Sequence, residues 1–328
     1  MKITKASVHQ NKVSEVDKMT SIDEIIHRYE DNPIIYSDMP GLEGEKGTNI
    51  NGPSLVKVPE WVKSPFGKYY LYFAHHGGQY IRLAFADDIK GPWKIYKKGT
   101  LHLKQTVCKD HVGSPDVHVD HENQRFRMYF HGPYQDKGQK SFIAFSEDGI
   151  NFKAKPQVMG DFYFRVFEYD DLYYAFAKNG NKGGVLYRSS DGEIPFVKGK
   201  EVIPNMRHTA VYTEGDDLFL FYSRMGDCPE RILLSYLDLS QDWNKWQPTK
   251  PITLLEPEKD YEGADYSLEK SSPGPANQCV RQLRDPAFYE ENDNYYLFYS
   301  IAGEKGIALA EISKEFKQVA KNIDNIKI

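Results

Sequence analysis

The amino-acid sequence predicts an all-β fold, a five-bladed β-propeller with a short N-terminal helical segment. Aromatic residues make up 14% of the chain, with 23 Tyr and 18 Phe, and these side chains favour strands. The 25 Gly and 18 Pro supply turns between many short strands. One strand motif also recurs at a spacing typical of propeller blades.

The recurrent motif is an aromatic strand that runs into a polar or glycine-rich turn. Its copies lie about 45 to 60 residues apart, and nearly 80 before the last because of an insertion at about 256–280. The copies are KYYLYFAHH (68–76), RFRMYFHGP (125–133), LYYAFAKNG (172–180), LFLFYSRMG (218–226) and YYLFYSIAG (295–303).

Further strands complete each repeat. A third strand follows the turn, and a fourth is predicted at 91–98, 150–157, 194–201 and 244–251. An earlier strand precedes the motif, in NGPSLVKV, GSPDVHVD, FYFRVFEY, RHTAVYTE and RDPAFYEE. A β-sandwich gives no reason for the same pattern to recur, so the repeats favour propeller blades.

The N-terminal region differs from the repeats. Residues 1–44 are predicted to be an extension and 45–328 the propeller domain. Ser21 with Glu24 forms a capping-box pattern before Ile25 and Ile26, which predicts a short helix. The strand that closes the ring could come from 32–38 or equally from the C-terminal tail.

Charge and composition exclude several classes of partner. Lys and Arg total 42 against 47 Asp and Glu, a net charge of −5, so no basic surplus favours nucleic acid. No apolar run approaches the roughly 20 residues of a membrane span. The N-terminus also lacks the apolar stretch of a secretory signal, so we expect no membrane partner and a cytoplasmic location.

The three cysteines, Cys108, Cys228 and Cys279, are widely spaced and odd in number. They predict free thiols, with neither a disulfide framework nor a zinc site. We expect no cofactor, although His118 near the axis leaves a channel metal ion open.

Propeller geometry brings two sets of side chains into one funnel, because the inner strands begin where the turns after the aromatic strands open. Convergent charges there indicate a polar ligand site with acid/base capability. The inner strands supply Asn51, Ser54, Asp116, His118, Arg165, Arg207, His208, Arg284 and Asp285. The turns supply His75, His76, His131, Lys178, Arg224, Asp227, Glu230 and Glu304.

Several of these residues also have a plain structural interpretation. Asp116 could cap a turn after Pro115, Asp285 could pair with Arg284, and Glu230 could be a solvated turn residue. Of the adjacent His75 and His76, one is expected to face a ligand.

The repeated aromatic strands, the PD context of Asp116 and the Arg284-Asp285-Pro286 triplet resemble the five-bladed propeller glycosidases. These are glycoside hydrolase families 43, 32 and 117, with the family 130 phosphorylases more distant. The resemblance covers about 45–312 and implies a triad of funnel carboxylates, to which Asp116 and Asp285 correspond by position.

The chain departs from family 43 at two places. It has Asn51 where that family begins its first blade with an Asp, and RHTA at 207–210 where the family presents its acid. The acid must then come from elsewhere. Glu230 is the first choice, Glu262 or Asp265 the second, and His208 a non-carboxylate alternative.

The cationic side chains predict an anionic ligand. Arg82, Arg165, Arg207, Arg224 and Arg284 could bind a uronate, sulfate or pyruvate ketal, or inorganic phosphate. They could equally neutralise funnel carboxylates. Aromatic residues that could stack on sugar rings are Tyr80, Tyr134 and Tyr163.

The sequence thus predicts an exo-acting glycoside hydrolase for a terminal, acidic sugar, such as a galactoside of a short oligosaccharide. The predicted catalytic residues are Asp116, Glu230 and Asp285. The predicted substrate-binding residues are Asn51, His75, His76, Arg82, His131, Arg165, Arg207, His208, Glu262, Arg284 and Glu304. The alternatives are a glycoside phosphorylase and a non-catalytic sugar-binding propeller.

Overall fold

Strands make up nearly all the regular structure in the computed structural model, which describes residues 22–193 and 195–322. A single helical turn, α1 (Ile22–Ile25), leads into β1 (Ile26–Arg28), and β2 (Ile35–Tyr36) follows. Ser21 lies outside the described residues, and the predicted N-terminal helix beyond this turn stays a prediction. Near the C-terminus lies α2 (Phe316–Lys321).

Within the described residues, the strands hydrogen-bond into four antiparallel sheets. The first contains β3 (Asn51–Lys57), β4 (Tyr69–Ala74), β5 (Arg82–Ala86) and β6 (Lys94–Ile95). The second contains β7 (Gly113–Asp120), β8 (Arg125–Pro133), β9 (Gln139–Ser146), β10 (Lys153–Ala154), β11 (Gly160–Tyr169), β12 (Leu172–Lys178), β13 (Gly183–Ser189) and β14 (Val197–Pro204).

The third sheet contains β15 (Met206–Glu214), β16 (Asp217–Arg224), β17 (Ile232–Asp238) and β18 (Ile252–Leu255). The fourth contains β19 (Arg284–Glu291), β20 (Asn294–Ile301) and β21 (Gly306–Ile312). Both β1 and β2 pair with β21, so N-terminal residues add strands to the last sheet.

The second sheet consists of two sets of four strands, β7 to β10 and β11 to β14, which are hydrogen-bonded to each other at one place. Only two residue pairs, Gly160 with Ser141 and Asp161 with Lys140, join β11 to β9. The predicted all-β fold is therefore confirmed, and all five aromatic motifs lie in strands.

The first strand of each set, here called an inner strand, packs against the next to form a ring. The inner strands are β3, β7, β11, β15 and β19, and β19 contacts β3 to complete the circuit. Buried apolar clusters lie between successive sets, including one between the last sheet and the first. The inner strands therefore surround one axis.

The fourth strand predicted at 244–251 is wrong. The edge strand is β18, which begins at Ile252. Trp246 instead lies buried, and its Nε1 donates to the carbonyls of Leu239 and Gln241. These bonds hold the preceding segment in a turn, so the chain reaches the sheet edge later than the sequence pattern suggests.

Cys108, Cys228 and Cys279 are free thiols. Among the residues that the structure describes, no helix has the length and apolar character needed to span a membrane.

One buried guanidinium, that of Arg165, connects the inner strands at the axis. Its Nε donates to the carbonyl of Thr209 at 3.1 Å, and its Nη1 donates to the carbonyl of Pro115 at 2.7 Å. Its Nη2 donates to the carbonyl of Pro53 at 3.4 Å. Arg165 therefore connects its own strand, β11, to β3, β7 and β15.

Asp116 reinforces this connection from β7. Its Oδ2 accepts the Val166 N–H at 2.8 Å and lies 3.0 Å from His118 Nε2. Its Oδ1 lies 3.6 Å from Arg165 Nη1. Burial raises the pKa of this carboxyl, but His118, Arg165 and the Val166 N–H together hold the pKa below its ordinary value.

Replacing Arg165 with Met should destabilise the fold, because three buried carbonyls lose their donor and Asp116 loses a charge partner. We expect a loss of about 3–5 kcal/mol in the free energy of unfolding, measured by urea denaturation. Arg188→Met is the matched control, since that guanidinium covers the Trp243 ring at 4.6 Å and interacts with the Tyr174 hydroxyl but connects no inner strands, and the change should cost about 1 kcal/mol or less. Equal losses in both variants would contradict the role of Arg165.

Asp116→Asn should lower stability in a pH-dependent way. A carboxyl whose folded pKa is depressed contributes stability above its unfolded pKa of about 3.9 and loses that contribution as pH falls through the folded pKa. The wild type should therefore exceed the variant by about 1.5–3 kcal/mol near pH 7, with the gap shrinking below about pH 4. Denaturation curves recorded across pH measure this difference in the free energy of unfolding. A difference that stays constant with pH would contradict the role of the ionised Asp116 carboxylate.

Candidate active site

A polar cavity opens where the inner strands begin. The space between its lining atoms, part of which is open solvent, is about 420 Å³. The lining comes from the inner strands, from the segment before β7, from the end of β4 and the turn after it, from β8 and the start of β9, from the turn after β20, and from the insertion before β19. It consists of Asn51, Ala74, His75, His76, Gly77, His111, Gly113, Ser114, His131, Gln139, Tyr163, Arg207, His208, Gly274, Asp285 and Glu304.

A β-bulge at the start of every inner strand turns side chains into this cavity. The pairing register shifts between Asn51 and Ser54, Gly113 and Asp116, Phe162 and Arg165, Met206 and Thr209, and Arg284 and Ala287. Such bulges bend the strand and re-aim a side chain. The second residues of these bulges are Gly52, Ser114, Tyr163, Arg207 and Asp285, and all but Gly52 line the cavity.

Four of these residues have left-handed backbone. The φ angles are 61° at Gly52, 45° at Ser114, 63° at Tyr163 and 49° at Asp285. A non-glycine residue in this region costs of order 1–3 kcal/mol, and such positions cluster at functional sites. The bulges therefore hold cavity side chains in conformations that a regular strand would not adopt.

Many predicted site residues do meet in the cavity. The structure brings together side chains from sequence positions 51 to 304. These predicted residues are Asn51, His75, His76, His131, Arg207, His208, Asp285 and Glu304.

Two of the three predicted catalytic residues do not line the cavity. Asp116 is the fourth residue of its bulge, so its carboxylate faces Arg165 and Val166 instead. Glu230 is 0% exposed. Its Oε1 accepts from Arg207 Nε and Ser223 Oγ, each at 2.7 Å, so it supports the cavity wall from behind.

Other predicted residues are held outside the cavity by their own partners. Glu262 accepts from Arg28 Nε and the Tyr299 hydroxyl, each at 2.8 Å, which anchors the insertion. Arg82 Nη1 donates to the Asn49 carbonyl at 2.9 Å. Also absent from the lining are Ser54, His118, Arg165, Lys178, Arg224, Asp227 and Arg284.

The sequence interpretation missed Ser114, His111, Gln139 and Gly274, which line the cavity. A signal for Ser114 exists in the sequence. In the segments NGPS, GSPD and RDPA, Pro is the third residue of the bulge and follows a residue with positive φ. The shared Pro therefore marks Ser114 as the counterpart of Asp285. Of the aromatics considered for sugar stacking, only Tyr163 lies in the lining.

Asp285 is the carboxylate most deeply placed in the lining. Its Oδ1 is hydrogen-bonded to His208 Nδ1, and its Oδ2 accepts from Ser300 Oγ at 3.3 Å. Burial raises its pKa, but His208, Arg284 and Arg207 outweigh that effect and hold the pKa of Asp285 far below the ordinary value. Asp285 is therefore ionised at neutral pH.

Glu304 supplies the second carboxylate. Its Oε2 accepts from Asn49 Nδ2 at 2.5 Å and Asn51 Nδ2 at 3.3 Å, and its Oε1 accepts from Arg284 Nη1 at 2.9 Å. His76 Nδ1 lies 3.9 Å from Oε2. Asn51 thus helps to orient the Glu304 carboxylate. The resembled family has an Asp at the sequence position of Asn51.

Three of the cavity histidines, His76, His131 and His208, are neutral at pH 7. Burial lowers the pKa of each, and for His131 the neighbouring histidines and Lys178 add to that effect. Their nitrogen atoms can therefore accept or donate hydrogen bonds according to tautomer.

The funnel arginines are occupied by protein groups. Arg207 binds Glu230 and donates to the carbonyls of Gly274 and Ser272, and Arg284 pairs with Glu304 and lies near Glu230. Arg165 binds three carbonyls. These contacts remove the reason for expecting an anionic substrate, since the guanidiniums neutralise carboxylates instead.

The structure offers no metal site among residues 22–193 and 195–322. No group of three or more His, Cys, Asp or Glu side chains there is placed to hold an ion. His118, considered for a channel ion, is bound to Asp116.

Comparisons with solved structures identify the fold. A candidate glycoside hydrolase from Bacteroides ovatus ATCC 8483 superposes with a TM-score of 0.63 at 13% identity, covering 89% of this chain and 97% of the other. CoXyl43, a GH43 β-xylosidase/α-arabinofuranosidase from a compost metagenome complexed with xylotriose, gives 0.56 at 14% identity, covering 84% and 94%. The GH43_1 enzyme from Xanthomonas citri complexed with xylose gives 0.55 at 14% identity, covering 80% and 87%.

Sequence comparison identifies a relative. No family model matches the chain. Uncharacterized protein R118 of Acanthamoeba polyphaga mimivirus is 35% identical over 324 residues, covering 88% of this chain and 90% of the relative. The chain therefore belongs to the family of mimivirus protein R118, with a fold that resembles the GH43 propeller glycoside hydrolases.

Proposed function

We propose that the protein is a glycoside hydrolase built on five blades, each blade being one strand set around the inner-strand ring. The observation that carries this proposal is the pair of carboxylates, Asp285 and Glu304, that line one cavity at the axis. Glycoside hydrolysis needs two carboxyl groups on either side of the bond that breaks.

Asp285 is assigned the role of the ionised carboxylate. Its depressed pKa keeps it negative, so it can attack the anomeric carbon or activate a water molecule. Ser300 and His208 fix its orientation. The sequence analysis assigned this kind of role to Asp116. The proposal gives the role to Asp285 instead, because Asp285 lines the cavity and Asp116 does not.

Glu304 is assigned the role of proton donor to the leaving oxygen. It is the other carboxyl group in the described lining, and His76 lies close enough to its Oε2 to exchange protons through a small movement. Glu230 is excluded from this role in the proposal because it is fully buried and does not line the cavity.

The proposed substrate is a short neutral oligosaccharide, cleaved from its end. The solved GH43 structures with xylose and xylotriose make pentose-containing glycosides the first to test. The Tyr163 ring, which lies edge-on to His131 and His208, offers an aromatic surface for a sugar face. An acidic sugar has no support from the cavity, since its arginines are engaged, and the solved structures with xylose and xylotriose give a galactoside no support.

The test is a panel of 4-nitrophenyl glycosides, assayed with and without inorganic phosphate. We expect release of nitrophenol from a neutral glycoside without phosphate. A strict requirement for phosphate would instead indicate a phosphorylase, and binding with no cleavage across the panel would indicate a sugar-binding propeller.

Asp285→Asn should lower kcat/KM on the best substrate by about 10³-fold or more, because an amide neither attacks nor activates water. Asp227→Asn is the control, since Asp227 pairs with Arg224 outside the cavity, and should change kcat/KM less than about twofold. Equal activity of the Asp285 variant and wild type, with both folded by circular dichroism, would remove Asp285 from the mechanism.

A further inference from the structure

A serine, a histidine and an aspartate form a continuous hydrogen-bonded chain in the cavity wall. Ser114 Oγ lies 3.3 Å from His208 Nε2, and His208 Nδ1 is hydrogen-bonded to Asp285 Oδ1. The three residues come from β7, β15 and β19, and all line the cavity. Glycoside hydrolysis by two carboxylates leaves Ser114 without a role.

The order of the contacts is that of an activated serine nucleophile. In such systems the imidazole accepts the hydroxyl proton at Nε2 while a carboxylate binds Nδ1–H and fixes the tautomer. A serine-to-imidazole distance slightly longer than an ideal hydrogen bond is common before substrate binds. The neutral state of His208 leaves Nε2 free to act as base.

The environment of Ser114 differs from that of an ordinary buried serine. Ser141, for comparison, donates to the Asp161 carbonyl at 2.8 Å. Ser114 instead sits at the left-handed position of its bulge, φ 45°, with its hydroxyl toward an imidazole at the cavity wall. Strained backbone at a nucleophile is a recurring feature of hydrolytic sites.

We propose that Ser114 is a nucleophile and that the cavity also hydrolyses small carboxylic esters, such as an O-acetyl group on a sugar. This activity is separate from the glycosidase proposed above and stands without it.

The reaction balances with water as the one co-substrate. Ser114 Oγ attacks the acyl carbon as its proton moves to His208 Nε2, and Asp285 stabilises the imidazolium. The ester C–O bond then breaks, and the alcohol leaves with that proton. Water attacks the acyl-serine by the same route, which releases the carboxylic acid and restores Ser114.

His131 is the donor assigned to the oxyanion. It is 4% exposed, lines the cavity, and its Nδ1 has no hydrogen-bond partner among the described residues. Its Cε1 and Nε2 atoms lie 3.6 and 3.7 Å from where a Cβ on Gly113, the neighbour of Ser114, would stand. In the tautomer that carries the proton on Nε2, this imidazole can donate to charge that develops on an acyl oxygen.

The test is labelling with a fluorophosphonate, which forms an Oγ–P bond with an activated serine as fluoride leaves. Peptide mass spectrometry of the wild-type protein should place the adduct on Ser114. Labelling should be absent in Ser114→Ala and slowed about 100-fold or more in His208→Gln. The control Ser141→Ala should label as the wild type does.

An adduct on another serine, or no adduct on folded wild-type protein, would overturn the proposal. So would equal labelling rates in the wild type and His208→Gln, since the hydroxyl would then react without the imidazole. Thermal melting of each variant confirms folding. The readout uses no glycoside, so a negative glycosidase screen leaves it interpretable.

Discussion

The hydrogen bonds of Arg165 are the constraint on which the site depends. Its guanidinium binds carbonyls of three other inner strands at the level where their bulges end. A buried guanidinium loses its hydration, and planar, charge-assisted bonds to fixed carbonyls compensate for that loss. The same bonds hold the strands at fixed positions around the axis. The bulge residues next to these carbonyls therefore line one cavity.

The charges around the cavity follow a common arrangement. The Glu230 carboxylate behind the wall binds Arg207 and lies near Arg284, and these arginines, together with His208, keep the pKa of Asp285 low. His131 and His208 in the cavity wall stay neutral mainly because they are buried. The cavity therefore combines a permanently ionised carboxylate with uncharged proton acceptors, which suits cleavage of a neutral substrate.

The repeating strands could be predicted from the sequence because aromatic periodicity and turn residues act locally. The cavity residues could be predicted only in part. Strict alternation from the strand start makes Asp116 face the axis, but the bulge inserts a residue and presents Ser114 instead. Glu230 was predicted to face the cavity, but it is buried against Arg207. Because Arg207 lies on another segment of the chain, the sequence alone could not predict this pairing.

The most direct test of the account is a crystal structure of the Asp285→Asn variant soaked with an aryl glycoside that the wild type cleaves. The account predicts the sugar in the axial cavity, with its anomeric carbon about 3–3.5 Å from the side chain at position 285 or from a water bound to it. A sugar bound instead in the outer groove beside Trp61 and Arg125, with the axial cavity empty, would contradict it.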